Sequence, residues 1–234
     1  MSLSAQDYFR ELERRFLAIA DPDRAVPMKK YMRDQFDFLG IGSPERRELV
    51  RKLIADHPLP QGQELQKLWE LCWDQPFREN QYFVYESGLR VLRKLDDSFI
   101  PLFESFIPRK SWWDTIDFLA PKLIGRILLR YPEQIESYSE KWVHSPNFWF
   151  QRSAILFQLD YKRQTNVDLL FRNIRLCAGS KEFFVQKAAG WALRQYSKTD
   201  PVAVTAFIEA EELPKLTVRE GMKAIKSKKM KDKR

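Results

Sequence analysis

Two indoles and two carboxylates fall within six residues of the chain, in Lys110-Ser111-Trp112-Trp113-Asp114-Thr115-Ile116-Asp117. If this stretch opens a helix, Trp113 and Asp117 stand four residues apart and share one face, one turn above the other. A flat aromatic wall beside an anion is what a site needs to hold a sugar ring and to stabilise positive charge developing on it. Ser111 is placed to cap the helix, which makes Asp114 a first-turn acid complementing the helix dipole and leaves Asp117 as the carboxylate with chemistry to do. Each residue also has an ordinary reading. A helical Trp most often packs in a core, and a lone helical Asp is most often solvated or ion-paired. Trp112 and Trp113 differ by about 100° around a helix, so at most one of them lines a common groove.

Two further residues carry the same kind of interest. Arg152 follows the aromatic run Phe148-Trp149-Phe150, and Trp191 lies in Lys187-Ala188-Ala189-Gly190-Trp191-Ala192-Leu193-Arg194, whose small residues admit the close approach of a backbone or a ligand. Singly, Arg152 reads as the partner of a nearby acid and Trp191 as core. Their interest depends on whether the fold brings them to Asp117.

The elements that must do this read as helices throughout. Apolar residues at helical spacing, with Pro, Asp, Ser and Asn at the joints, predict helices over 4–20, from 27 to the break at Gly40-Ile41-Gly42, and over 43–56, 64–73, 77–94, 97–106, 111–130, 133–143, 148–161, 167–178, 182–196, 201–210 and 214–226. No stretch reads as a strand. Phe77, Trp112, Phe148 and Phe183 stand early in the first helix of successive pairs, spaced by 35, 36 and 35 residues. In that register Gln81, Ile116, Arg152 and Lys187 share one position, and Tyr82, Asp117, Ser153 and Ala188 share the next. Helical hairpins repeating at this length predict an all-α, HEAT-like solenoid, a curved stack whose concave side gathers equivalent helices from successive repeats. Residues 1–226 are expected to form that single domain, and 227–234 a disordered basic tail.

Composition agrees with an ordered helical protein: 234 residues, 44% hydrophobic and 31% charged, with only 8 Gly. The formal net charge of +8 sets a positive field suited to a polyanion such as nucleic acid or an anionic membrane face, though charge alone establishes neither. Cys72 and Cys177 form no C-x-x-C pair and stand far in sequence from His57 and His144, so no metal site is expected. The N-terminus lacks the pattern of a signal peptide and no apolar run approaches 18 residues, which predicts a cytoplasmic protein with reduced thiols and no membrane partner.

Ser111-Trp112-Trp113-Asp114-Thr115-Ile116-Asp117, the Gln151-Arg152 step in an aromatic-rich helix and Ala188-Ala189-Gly190-Trp191-Ala192-Leu193 resemble the AlkD family of bacterial DNA alkylation-repair glycosylases. So do Met28-Lys29-Lys30-Tyr31-Met32, Phe38-Leu39-Gly40-Ile41 and Pro44-Glu45-Arg46-Arg47, so that the resemblance covers nearly the whole chain. It implies a right-handed HEAT-like solenoid with duplex DNA in a concave basic groove. It also implies hydrolysis of the N-glycosidic bond of positively charged purines such as 3-methyladenine and 7-methylguanine, with the lesion left stacked. Position by position, the resemblance makes Asp117 the catalytic carboxylate and Trp113 and Trp191 the cleft tryptophans packing on the deoxyribose. It makes Arg152 a contact to the DNA backbone and Tyr31 an aromatic beside the DNA. No cofactor is expected; the expected partner is alkylated duplex DNA, which places the protein at the nucleoid, and one site on a duplex needs no partner subunit, so a monomer is expected. Two other readings stay open: a non-catalytic HEAT-like module that binds bent or branched DNA, and a protein-binding solenoid.

Overall fold

The computed structural model describes residues 3–231. Among the described residues every regular element is helical, and extended backbone pairs only in an isolated parallel bridge between Asp37 and Phe77. The all-α class expected from the sequence is the observed one. No helix is long and apolar enough to cross a membrane. The chain divides into two compact units of packing, Met1–Leu95 and Asp96–Arg234.

The first unit holds α1 (Ala5–Ala18), α2 (Pro22–Tyr31), α3 (Ser43–Asp56), α4 (Gly62–Asp74) and α5 (Arg78–Val91). Tyr8, Leu12 and Phe16 bury one stripe of α1, as Leu65, Leu68, Trp69, Cys72 and Trp73 do on α4. Each such large side chain removed from water contributes roughly 1.5–3 kcal/mol. α2 begins at Pro22, five residues before the start expected at Pro27. The reason is a stronger cap: the Asp21 carboxylate accepts the N–H groups of Asp23 and Arg24, each at 3.1 Å, and Pro22 occupies the first turn, where a missing N–H costs nothing. The loop after α2 is pinned by Glu79, whose carboxylate accepts the backbone N–H groups of Leu39, Gly40 and Ile41 at 3.0, 3.0 and 3.1 Å. Gly40 is required there, because its φ is +83° and a Cβ would lie 1.9 Å from the Asp21 carbonyl oxygen.

The second unit runs through α6 (Ile100–Phe106), α7 (Trp113–Phe118), a π-helical segment (Leu119–Ile124), α8 (Gly125–Leu128), α9 (Ile135–Val143), α10 (Phe148–Leu156) and α11 (Val167–Leu176). It continues through α12 (Phe183–Tyr196), α13 (Pro201–Ala210), α14 (Lys215–Gly221) and α15 (Lys223–Lys231). The segment anticipated as a tail begins within α15, which the buried Ile225 anchors, and residues 232–234 lie outside the described residues.

Repetition is visible in the bonds that tie one hairpin to the next. Glu104 accepts from Lys141 and Trp142, Arg152 donates to Asp117, Lys122 to Asp160, Tyr161 to the Gly125 carbonyl, Asn173 to Ser139 and Arg175 to Glu211. All of these span 34 to 38 residues, the length of one helical pair. The structure also corrects the register. The N-caps of α5, α7, α10 and α12 are Phe77, Trp112, Asn147 and Glu182, 35 residues apart at every step. Gln81, Gln151 and Gln186 each donate to a carbonyl six residues back, on Gln75, Ser145 and Ser180, at 3.0, 3.0 and 2.9 Å. Counting from the aromatic residues Phe148 and Phe183 put the later repeats one residue out, because those rings sit one place inside their helices. Asp117, Arg152 and Lys187 are therefore equivalent positions.

Candidate functional site

The helix bearing Asp117 is the irregular member of its set. Where the α5, α10 and α12 positions carry Gln, α7 carries Ile116, so no amide reaches back to the preceding turn, and Lys110 there adopts φ +49°. Ser111 does not cap α7 as expected. Its hydroxyl donates to the Ile107 carbonyl at 2.6 Å and closes the end of α6, while Trp112 takes the N-cap position in an extended conformation. Four residues after Asp117 comes Pro121, which has no N–H to give the Asp117 carbonyl and whose ring would collide with it in a regular α-turn. The chain answers by widening into the π segment Leu119–Ile124.

Within α7, Asp114 is buried in the first turn, and Trp113 and Asp117 share a face at i, i+4. Arg152, one repeat on, donates from Nε and Nη2 to the same oxygen, Asp117 Oδ1, at 2.9 and 2.6 Å, and from Nη1 to the Phe184 carbonyl at 2.5 Å. One oxygen of Asp117 thus takes both bonds and neither occupies Oδ2; the Asp117 side chain keeps 15% exposure against 4% for Arg152. Burial pushes the Asp117 carboxyl above its ordinary range, the Arg152 charge and hydrogen bonds pull it back, and the neighbouring Asp114 charge adds to the rise. The arrangement is a carboxylate held through one oxygen by a guanidinium.

Aromatic rings wall the pair. Phe184 packs on Trp112 and Trp149 at centroid distances of 5.2 and 5.0 Å and lies parallel to Phe148, and the Arg152 guanidinium stands 6.0 Å from its ring. Trp112 packs among these rings with its indole N–H buried and unpartnered, and Trp113, partly buried, stands one turn before Asp117 on α7. Trp191 lies on the stripe Phe184–Ala188–Trp191 of α12, also half-exposed, about 10 Å along the axis from Phe184. Gly190 turns the other way: a Cβ there would meet Glu220 Cβ at 2.5 Å and the Thr217 carbonyl at 2.9 Å, so the small residues before Trp191 admit α14.

Of the residues singled out in the sequence, Asp117, Trp113 and Arg152 come together, and Trp191 lies two turns up the helix that supplies the Phe184 carbonyl. Arg152 was expected to face a phosphate; its three guanidinium nitrogens here bond to Asp117 and Phe184. Tyr31 belongs to the first unit, at the end of α2, and is 70% exposed. Sequence reasoning missed Phe184, because a backbone carbonyl carries no signal in residue type, and it passed over Lys187, the third of the equivalent positions. Lys187 pairs with Glu220 at 3.0 Å, which also takes Arg194 and Lys223. Lys223 and Lys187 hold the Glu220 carboxyl down to about 2. Cys72 and Cys177 are free and buried, and burial raises both thiols, Cys177 to about 11, which removes them as nucleophiles.

Residues 12–225 match the family model described as DNA alkylation repair enzyme. A solved structure described as a predicted DNA alkylation repair enzyme from Enterococcus faecalis is 33% identical, with 87% of this chain and 95% of that one aligned at a TM-score of 0.81. AlkD2 from Streptococcus mutans aligns over 94% and 98% at 16% identity and a TM-score of 0.64, and smu.31 from Streptococcus mutans UA159 over 77% and 91% at 17% and 0.59. These last two show likeness of fold alone. No curated protein matches the chain.

Proposed function

The chain belongs to the DNA alkylation repair enzyme family, and from that premise and the site geometry we propose that it is a monofunctional glycosylase releasing N3- and N7-alkylated purines from duplex DNA. The observation that carries this reading is the Asp117 carboxylate, gripped through Oδ1 by Arg152 and standing one turn from the indole of Trp113. An alkylated N3 or N7 gives the purine a formal positive charge, so the base departs neutral and needs no general acid. Positive charge collects instead on the deoxyribose as an oxocarbenium-like centre, which one well-placed carboxylate stabilises while it orients or deprotonates water. The indoles of Trp113 and Trp191 add electron-rich faces toward that cation.

In this mechanism Arg152 positions Asp117. Its charge opposes the protonation that burial favours, and its two bonds to one oxygen leave the other to face the substrate. A phosphate contact from Arg152 would require Nη1 to leave the Phe184 carbonyl. Tyr31, on the exposed end of α2 beside Lys29 and Lys30, is the proposed aromatic contact to the duplex, with one protein monomer engaged. Selection then follows leaving-group chemistry rather than base shape, and no lysine nucleophile is invoked, so the product is an abasic site.

The test is single-turnover release of 7-methylguanine from a defined duplex by the wild type and Asp117→Asn. Loss of one electrostatic contact in the transition state predicts a rate lower by roughly 100- to 1000-fold with duplex binding retained. Equal rates in the two proteins would remove Asp117 from the mechanism, and no release above the spontaneous rate by either would remove the glycosylase.

A further inference from the structure

The second unit contains a cavity of about 520 Å³ that the mechanism does not use. It lies at the C-terminal ends of α10 and α12, whereas Asp117 is approached from their N-terminal halves. Its floor is buried and largely apolar, from Ile155, Leu159, Leu170 and Ala192, and Tyr196 stands half-buried at its side. Its rim is cationic: Lys162, Arg163 and Lys198 are all exposed, and no carboxylate lines the space.

Among the described residues none of these three cations forms an ion pair, and the one bond recorded for their charged groups is from Lys198 to Gln195 at 2.7 Å. The neighbouring acids are spent elsewhere, Asp160 on Lys122 at 2.6 Å and Asp200 on the first turn of α13. Cations at helix C-termini have an ordinary explanation, since each terminus carries about half a negative charge. Two termini account for only about one of the three positive charges, and about two remain unbalanced around one cavity. The loop that carries Lys162 and Arg163 is fixed in shape, because the buried Gln158 amide bonds both the N–H and the C=O of Asn166, at 2.8 and 3.3 Å. The site is therefore built before any ligand arrives.

We propose that this cavity binds a nucleoside phosphate, with the base on the apolar floor against Tyr196 and the phosphate between Lys162, Arg163 and Lys198. The volume falls within the roughly 300–1,000 Å³ of small-ligand sites, and about two unbalanced positive charges match a phosphate monoester. Either a free nucleotide or a nucleotide at the end of a single strand presents this chemistry. The site is separate from Asp117 and stands or falls independently of the glycosylase reading.

The experiment is titration of the ¹⁵N-labelled full chain with dAMP, with inorganic phosphate and with a short 5′-phosphorylated single strand. The amides of Thr165, Lys198 and Thr199 report on the cavity, and those of Asp117 and Arg152 on the other site. Saturable shifts confined to the cavity with dAMP, weakened about tenfold or more in Arg163→Glu/Lys198→Glu, are the expected result. Both substituted residues are exposed, so the fold is retained, and an unchanged remainder of the spectrum verifies it. The same response to the strand but not to dAMP supports the site and makes a strand end its source. Phosphate binding as tightly as dAMP overturns the nucleoside assignment, and cavity shifts with none of the probes, or shifts unaltered in the double variant, overturn the site.

Discussion

Arg46 grips Glu86 in the first unit much as Arg152 grips Asp117 in the second. Each guanidinium donates from Nε and Nη2 to one carboxylate oxygen, at 3.2 and 3.0 Å for Arg46 and at 2.9 and 2.6 Å for Arg152. The surroundings differ. Arg46 and Glu86 are 7% and 8% exposed, and Glu86 Oε2 is buried without a partner. Asp117 contributes no such orphaned atom, is twice as exposed as Glu86 and stands one turn from an indole. One pair buries its second carboxylate oxygen and the other leaves it accessible. An ion pair is thus a poor indicator of function until the second oxygen is followed.

Four measurements break or sharpen this contrast. The largest effect is expected from exchanging the carboxylates for amides: Asp117→Asn lowers 7-methylguanine release by roughly two to three orders of magnitude. Glu86→Gln leaves the rate of the folded protein unchanged and costs about 3–5 kcal/mol of stability by stranding Arg46, read by denaturant titration. A comparable loss of rate in both variants would erase the distinction. Second comes Arg152→Ala, with the rate followed against pH. In the proposed mechanism Asp117 acts ionised, and burial already holds its carboxyl above the ordinary range despite the pull of Arg152, so removing that pull raises it further. The acid limb of the profile therefore moves to higher pH; an unmoved limb with a uniformly lower rate would assign Arg152 to DNA binding alone. The sign for stability is consistent. Folded protein holds the Asp117 proton more tightly than unfolded chain, so ionising this group at neutral pH costs stability, which acidification through the raised value restores.

Smaller losses are expected from the walls. Trp113→Ala and Trp191→Ala should each slow release by about 5- to 30-fold, the range of a desolvated cation–π contact, with Trp113 the larger because it stands one turn from Asp117 on the same face. Tyr31→Ala sits at the bottom of the scale. With Tyr31 70% exposed, stability should change by no more than about 0.5 kcal/mol, and the effect appears only as weaker duplex binding in a salt titration.

How legible all this was varies by residue. The helices were readable because core stripes such as Tyr8, Leu12 and Phe16 repeat at helical spacing. The start of α2 was misread because Asp21-Pro22-Asp23 serves equally well as a helix terminator and as a cap followed by a first-turn proline. The single helix expected over 111–130 is broken by one residue, Pro121, whose effect depends on the carbonyl four places earlier. The near-35-residue period was visible, yet large rings drew the register to Phe148 and Phe183 and hid the equivalence of Asp117 with Arg152. That one repeat separates an acid from a base was in the sequence; which oxygen the base would take, and that a carbonyl of Phe184 would hold its far side, was not.

The widened turn after Asp117 has a consequence for what the chain tolerates by way of length. A π turn accommodates one residue more than an α turn, so the segment Leu119–Ile124 acts as a one-residue insertion already absorbed. Each residue of a regular helix advances the azimuth by about 100°, and this segment therefore offsets the direction in which Asp117 points from that in which α8 packs. Shortening it by one residue gives the backbone a more regular path, and then the helix can keep α8 against its neighbours or Asp117 against Arg152, but not both. The irregular turn is in effect a phase adjustment between the part of the helix that holds the unit together and the part that carries Asp117.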